Sequence, residues 1–441
     1  MIAETIFALA SAPGRAGIAV VRVSGPGAGA ALAALGCSTP EPRRATRARF
    51  RDSAGALIDD GLLLWFPAPQ SFTGEDVAEL HIHGGRAVIA HLSETLASLK
   101  GVRPAEPGEF TRRAFEHGKF DLTQAEALAD LIDAETRAQQ RQALRQMGGA
   151  LKELYDDWRH RLVQALAHLE AVIDFPDEDL PPHVAARLWD EVADLRRDIT
   201  AHLDDKHRGE RTRDGVHVAI IGPPNAGKSS LLNALVRRDA AIVSEIPGTT
   251  RDVIEVHLDL GGYAVTIADT AGLRDAGDAI ENEGIRRAHK RASDADLKIA
   301  LFDGARFPLR DASTEALRDA RTLAVVNKAD LIKSPKIFDA HDALHFISVR
   351  TGFGVAELLA ALEARVRDES DAGAGAPLTR ERHRVALGEC RDALDRAKAA
   401  ALSELAAEDL RLAARALGRL TGRVDVDEIL DVVFRDFCIG K

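Results

Sequence analysis

Residues Gly222-Pro223-Pro224-Asn225-Ala226-Gly227-Lys228-Ser229 have the spacing of a loop that wraps phosphate. Two glycines free the backbone to turn its N–H groups inward, a lysine brings charge for the β- and γ-phosphates, and a serine hydroxyl offers a ligand for Mg²⁺. Residues 216–221 before the loop form an apolar run suited to a buried strand, and Ser230 opens a helix-forming run to Leu235. Strand, loop and helix in that order are the context the loop needs. Asn225, Ala226, Gly227, Lys228, Ser229 and Ser230 are therefore the expected nucleotide contacts.

Further motifs follow in order. In Pro247-Gly248-Thr249-Thr250-Arg251-Asp252 the Thr250 hydroxyl would complete the magnesium shell when a γ-phosphate is present. A second strand, 264–268, runs into Asp269-Thr270-Ala271-Gly272, where Asp269 would hold Mg²⁺ through water and the Gly272 N–H would sense the γ-phosphate. A third, 323–326, leads into Asn327-Lys328-Ala329-Asp330. The Asp330 carboxylate suits the paired N1–H and N2–H₂ donors of guanine, an edge adenine lacks. Ser348-Val349-Arg350-Thr351-Gly352 would close over the base through backbone N–H groups. Five motifs in order point to GTP as substrate and Mg²⁺ as cofactor of a hydrolase. Leu273 stands where many small GTPases carry a water-positioning glutamine. Glu281 is a candidate for that task, although on sequence alone an exposed helix acid is the simpler reading.

Composition bounds the setting of this module. The 441 residues suggest two to four domains, and 46% hydrophobic with 29% charged residues reads as a soluble globular chain rich in helix. A formal net charge of -11 excludes a protein that coats nucleic acid non-specifically. The cluster Arg43, Arg44, Arg47, Arg49 and Arg51 leaves a local basic patch open, with a solvated face as its plainer reading. Cys37, Cys390 and Cys438 are too far apart for a disulfide framework or a zinc site. The amino terminus lacks a basic signal-peptide region, and no run approaches the roughly 20 apolar residues of a spanning helix. A cytoplasmic protein without membrane association is expected.

The texture along the chain implies a multidomain fold. Short β-rich runs with Pro/Gly turns give an α+β domain over 1–118. Long helices begin after it, with Thr123 and Glu126 at capping-box spacing, and form a helical domain's first part over 119–212, its charged end from 204 to 214 reading as a linker. The α/β phosphate-loop module occupies 215–372. After a joint at Gly373-Ala374-Gly375-Ala376-Pro377, a second helical part spans 377–441, with another capping box at Asp425 and Glu428. Packing of the two helical parts would make the module an insertion. His81 and His83 share a face of one strand without a third ligand, which favours structural roles. Gly14-Arg15-Ala16-Gly17 precedes a strand and so does not suit a KH-type RNA clamp.

Over its whole length the chain resembles the tRNA uridine-modifying GTPase family MnmE, also called TrmE. The resemblance rests on Pro13-Gly14-Arg15-Ala16-Gly17 with Arg22-Val23-Ser24-Gly25, on Glu79-Leu80-His81-Ile82-His83-Gly84-Gly85, on 107–115, on 119–126, and on the ending Phe437-Cys438-Ile439-Gly440-Lys441. It implies a folate-binding amino-terminal domain, with 5-formyl-tetrahydrofolate or a related folate held by Arg22, Glu79, Lys119 and Lys441. It also implies K⁺ in place of an arginine finger, ligated through Asn225, Ser244, Ile246 and Thr249, with Ser244 and Thr249 counted in the GTP site and Glu281 as the catalytic glutamate. Cys438, otherwise an inert thiol or tail residue, would then stand beside the folate in a catalytic role. The family implies a homodimer joined through amino-terminal domains, a heterotetramer or larger complex with the flavoprotein MnmG, and tRNA as substrate, an aminomethyl-type group being placed on C5 of the wobble uridine. A ribosome-assembly or regulatory switch GTPase is the alternative, and it has no need of the folate positions or the terminal cysteine.

Overall fold

The structure, a computed structural model, describes residues 4–174, 182–236, 255–269, 293–333, 338–339, 343–370 and 375–424, together with Leu430, Val433, Phe434, Phe437 and Gly440. Within these the side chains of 182–186, Glu255, Asp269, Phe338 and Asp339 are not described. The chain divides into two compact units, one of Met1–Ala129, Lys152–His160 and Ala414–Lys441, the other of Asp130–Leu151 and Arg161–Ala413. Among the described residues no helix is long and apolar enough to cross a membrane.

The first unit is built on a six-stranded sheet from β1 (Thr5–Leu9), β2 (Ala16–Ser24), β3 (Thr46–Arg51), β4 (Leu57–Phe66), β5 (Val77–Gly84) and β6 (Val102–Pro104), ordered β3-β4-β5-β2-β1-β6. Only β1 and β6 pair in parallel. Alternation places Val21, Val23, Leu80, Ile82, Leu63 and Trp65 in one core with Leu32 of α1 (Ala28–Ala34) and Leu92 and Leu96 of α2 (Arg86–Ala97). A smaller cluster joins Ile6 and Ala8 of β1 to Phe110 of α3 (Glu109–Glu116) and Phe72. Near the carboxyl terminus, Leu430, Phe434 and Phe437 pack with Leu122, Ala125 and Phe115.

Helix α4 (Leu122–Asp133) is capped two residues earlier than the Thr123/Glu126 spacing suggests. Asp121 is the capping residue: its carboxylate accepts from the Gln124 N–H at 2.9 Å and the Thr123 hydroxyl at 2.8 Å, and the Gln124 side chain accepts from the Asp121 N–H at 3.1 Å. Thr123 and Glu126 are buried within the helix. The second expected box, Asp425 and Glu428, lies outside the described residues.

The second unit holds the helices α5 (Arg137–Met147), α7 (Pro182–Leu203), α8 (Arg208–Asp214) and α11 (Glu381–Ala399); α6 (Ala150–Asp174) and α12 (Ser403–Thr421) each contribute to both units. It also holds a seven-stranded sheet of β7 (Val216–Ile221), β8 (Glu255–Leu260), β9 (Tyr263–Asp269), β10 (Leu297–Asp303), β11 (Thr322–Asn327), β12 (Phe338–Asp339) and β13 (Leu344–Phe346). Its order is β12-β13-β11-β10-β7-β9-β8, parallel except at the edge strands β12 and β8. Both faces are covered, one by Leu231, Leu232 and Leu235 of α9 (Lys228–Leu235) and Leu358, Leu362 and Val366 of α10 (Val355–Ser370).

Residues 204–214, expected as a linker, contain α8. Its charged side chains find main-chain partners distant in sequence: Arg211 donates to the Glu369 carbonyl at 3.1 Å and Arg213 to the Thr379 carbonyl at 2.8 Å, while the Thr212 hydroxyl donates to the Ser370 carbonyl at 2.8 Å. The joint expected at 373–377 ends against the same helix, where Leu378 is fully buried and Gly209 backs onto the Leu378 carbonyl so closely that a methyl group would strike it. Residues 371–374 lie outside the described part.

Candidate functional site

Strand β7 stands between β10 and β9, so the loop that leaves its carboxyl end rises at the middle of a parallel sheet, where open α/β folds place ligands. The loop turns through Asn225, which has a left-handed φ of 65°, and Gly227, with φ of 99°. Gly227 approaches the Asn327 amide so closely that a Cβ would overlap it, and only glycine satisfies both conditions. Lys228 opens α9, is 8% exposed, and donates to the Gly222 carbonyl at 2.8 Å and the Pro223 carbonyl at 3.1 Å. Its ammonium is thereby held inside the curve of the loop. Ala226 is buried, while Ser229 and Ser230 are exposed at the start of the helix.

The base-reading end is assembled from β11 and the loop after β13. Asn327, 4% exposed, donates from its amide to the Ala226 carbonyl at 2.9 Å and accepts the Val349 N–H at 3.2 Å, tying the phosphate loop to 348–352. Lys328 has a left-handed φ of 62° and pairs with Asp303 at 2.7 Å. Burial works against the Asp303 carboxylate, but the Lys328 hydrogen bond and the Ala305 N–H outweigh it and hold that group below the usual range. Asp330, 14% exposed in its side chain, accepts from the Ser348 hydroxyl at 2.6 Å and pairs with Arg350 at 2.5 Å. The Ser348 hydrogen bond, aided by the Arg350 charge, outweighs the effect of burial and holds this carboxylate below the usual range. An ionised acceptor bonded to the 348–352 loop is the group a two-donor base edge requires.

Asp269 ends β9, paired with Ile220 of β7 next to the phosphate loop. Its side chain is outside the described residues, as are Ser244, Ile246, Thr249, Thr250, Gly272 and Glu281. Strand β10 and Asp303 were not anticipated from sequence; the run Leu297–Asp303 carries no motif, and its apolar character was its only signal.

In the first unit, register sets Arg22 of β2 opposite Glu79 of β5, and the guanidinium donates to Glu79 at 3.0 and 3.2 Å. It also stacks over Phe72 and Phe110, at 5.2 and 5.7 Å from the ring centres. His81 Nε2 lies 3.6 Å from Glu79, and His83 pairs with Asp59 at 2.9 Å. Lys119 donates to the Pro69 carbonyl at 2.8 Å and precedes Phe120, whose ring lies 5.5 Å from Phe72. Arg22 thus joins Phe72 to Glu79, and Lys119 adjoins Phe120, the ring that packs on Phe72. Gly440, with φ of 102°, fits so tightly against the Leu9 carbonyl that a side chain would clash, and Leu9 follows Ala8, the residue opposite Arg22. Cys438 and Lys441 lie outside the described residues. The arginines of β3 are engaged locally: Arg47 and Arg49 both reach Asp60, at 2.7 and 3.3 Å.

A mainly parallel sheet with a phosphate loop between an interior strand and the next helix, bridged by an asparagine to the loop that also binds an aspartate, defines a P-loop nucleoside-triphosphatase module. Family models agree and go further: one described as "GTP-binding protein TrmE N-terminus" matches residues 5–119, and one described as "MnmE helical domain" matches 122–438. The chain is 60% identical over 443 residues to the tRNA modification GTPase MnmE of Paramagnetospirillum magneticum, with all of both chains covered. It is 56% identical over 457 residues to that of Rhodospirillum rubrum, again covering both fully, and 58% identical over 444 residues to that of Parvibaculum lavamentivorans, covering 99% of this chain and 100% of the other. The chain belongs to the MnmE family of tRNA modification GTPases. It is a GTP hydrolase acting in tRNA modification, with GTP as substrate and Mg²⁺ as the accompanying ion.

Proposed function

We propose that this GTPase, with a flavoprotein partner of the MnmG kind, builds an aminomethyl-type group on C5 of the wobble uridine of certain tRNAs from a folate one-carbon unit. The observation that supports this reading best is Gly440 seated on Leu9, one residue from the strand position facing Arg22. Arg22 with Glu79 and Lys119 is a set that suits the carboxylates and the donor edge of a folate. We assign Lys441 and Cys438 to the same site, Cys438 in a chemical role, and take residues 1–118 as the folate-binding and dimerising domain of a cytoplasmic homodimer. Residues 119–212 and 377–441 would be the helical domain, and 215–372 the inserted GTPase. Deleting the gene and analysing tRNA nucleosides by mass spectrometry is expected to remove the C5-substituted wobble uridines. Unchanged nucleosides would overturn the reading in favour of a switch GTPase.

For the GTPase step, Lys228 would neutralise phosphate charge, Ser229 and Thr250 would ligate Mg²⁺ with Asp269 acting through water, and Asp330 would read guanine between Lys328 and Ser348. The donor set fits these ligands: a held ammonium, a serine hydroxyl at a helix start and an ionised carboxylate. Asn225, exposed at the rim of the loop in a left-handed conformation, is assigned to K⁺ with Ser244, Ile246 and Thr249, and Glu281 to orienting water. Turnover is expected to be at least about tenfold faster in K⁺ than in Na⁺, the scale of one charge-stabilising contact at the transition state. Asn225→Ala should erase the difference. Equal rates in the two ions for the unaltered chain would remove Asn225 from this role.

A further inference from the structure

Helix α5 bears on both segments that flank the GTPase module and on the module itself. Its Thr136–Gln139 capping box leaves the Gln139 amide nitrogen to donate to the Arg213 carbonyl of α8 at 2.9 Å, and Gln142 donates to the Gly209 carbonyl at 2.9 Å. One turn on, Gln146 accepts from Thr379 at 3.0 Å and Arg145 donates to the Gly375 carbonyl at 2.9 Å. These partners lie in the segments through which the chain enters and leaves the sheet of the second unit. The third contact is to the module itself: the Ala138 N–H, in the first helical turn and so without a helical acceptor, donates to the Gly262 carbonyl at 3.0 Å.

Gly262 lies in the turn of the β8–β9 hairpin, whose ladder runs unbroken from Leu260 opposite Tyr263 to Glu255 opposite Ala268. Chain continuing from its far end carries, on one side, Thr250 and, on the other, Asp269 through Gly272. A paired ribbon of this length spans roughly 20 Å and moves as one piece, so a shift at the nucleotide end reaches the turn. The turn is braced by the Asp259 carboxylate, which accepts the Gly262 N–H at 2.7 Å. We propose that Ala138 and Gln139 are positioning residues that couple the nucleotide state of the GTPase module to tRNA modification, with the Ala138 to Gly262 hydrogen bond as the point of transmission. This rests on the functional reading given above.

The test compares the full chain with Ala138→Pro, which deletes this N–H in a first helical turn where proline is tolerated, and Ala138→Ser, which keeps it. Hydrogen exchange of each is followed with GDP and with a non-hydrolysable GTP analogue, and modification is measured by complementing a gene deletion. Exchange across 137–147 is expected to differ between nucleotides by at least about fivefold in the unaltered and serine chains, the lower end of ordinary coupling. In the proline chain that difference should vanish and modification should fall by at least about fivefold while GTP turnover stays near normal. Exchange in 137–147 independent of nucleotide in the unaltered chain would overturn the proposal whatever the variants do. Full modification by the proline chain, or equal loss in the serine chain, would also overturn it. Unchanged wobble uridines in the gene deletion itself would instead overturn the underlying functional reading.

Discussion

Replacing Asp330 with asparagine is expected to lower affinity for GDP by about 10³-fold and to create affinity for xanthosine diphosphate. The Asp330 carboxylate is held below the usual range by the Ser348 hydroxyl and Arg350, and offers two acceptor oxygens. An asparagine keeps one acceptor and turns the other position into a donor, which faces the guanine amino group donor to donor. Xanthine carries a carbonyl at that place, so the amide matches it. Titration calorimetry of the full chain with both nucleotides decides the matter. Asp330→Ala separates recognition from damage, because it should lose guanine without gaining xanthine. Undiminished GDP affinity in either variant would take Asp330 out of the base site.

The second large effect is expected at Lys228. Its ammonium is held by two carbonyls of the phosphate loop, and its stem is buried at the head of α9. Lys228→Ala should reduce GTP turnover by about 10² to 10³, the usual consequence of removing a preorganised group aimed at developing charge. Arginine should not restore it, since a planar guanidinium cannot occupy a pocket shaped for a point charge. Leu231, Leu232 and Leu235 still anchor the helix in the core, so the melting temperature should change little. Turnover within a few-fold of the unaltered chain would contradict the assignment.

How much of this was legible in the sequence depended on distance along the chain. The phosphate loop is contiguous, and its strand and helix flank it directly, so β7 and α9 follow from local pattern. Strand β10 escaped because a lysine sits in its apolar run; Lys298 is nevertheless buried, its ammonium reaching Asp319 at 2.9 Å and the Leu317 carbonyl at 3.2 Å. Helix α8 escaped because its arginines looked solvated, whereas they bind carbonyls more than 150 residues away. The pairing of Arg22 with Glu79 depends on strand register over 57 positions, which no local signal carries; only the resemblance pointed to both residues. The Asp121 cap was misplaced by two residues because Thr123 has equal capping chemistry and lies in the first turn of the same helix.

The meeting of Gly209 with Leu378, and of Arg213 with Thr379, also bears on how long a segment the chain can carry between them. The polypeptide departs and returns at nearly one point, so the ends of the excursion are already closed. Loop closure penalises the length of a segment held between such neighbouring ends only logarithmically. Joining 212 to 379 is accordingly expected to need only a few residues, and a chain so shortened that still folds by circular dichroism would bear this out.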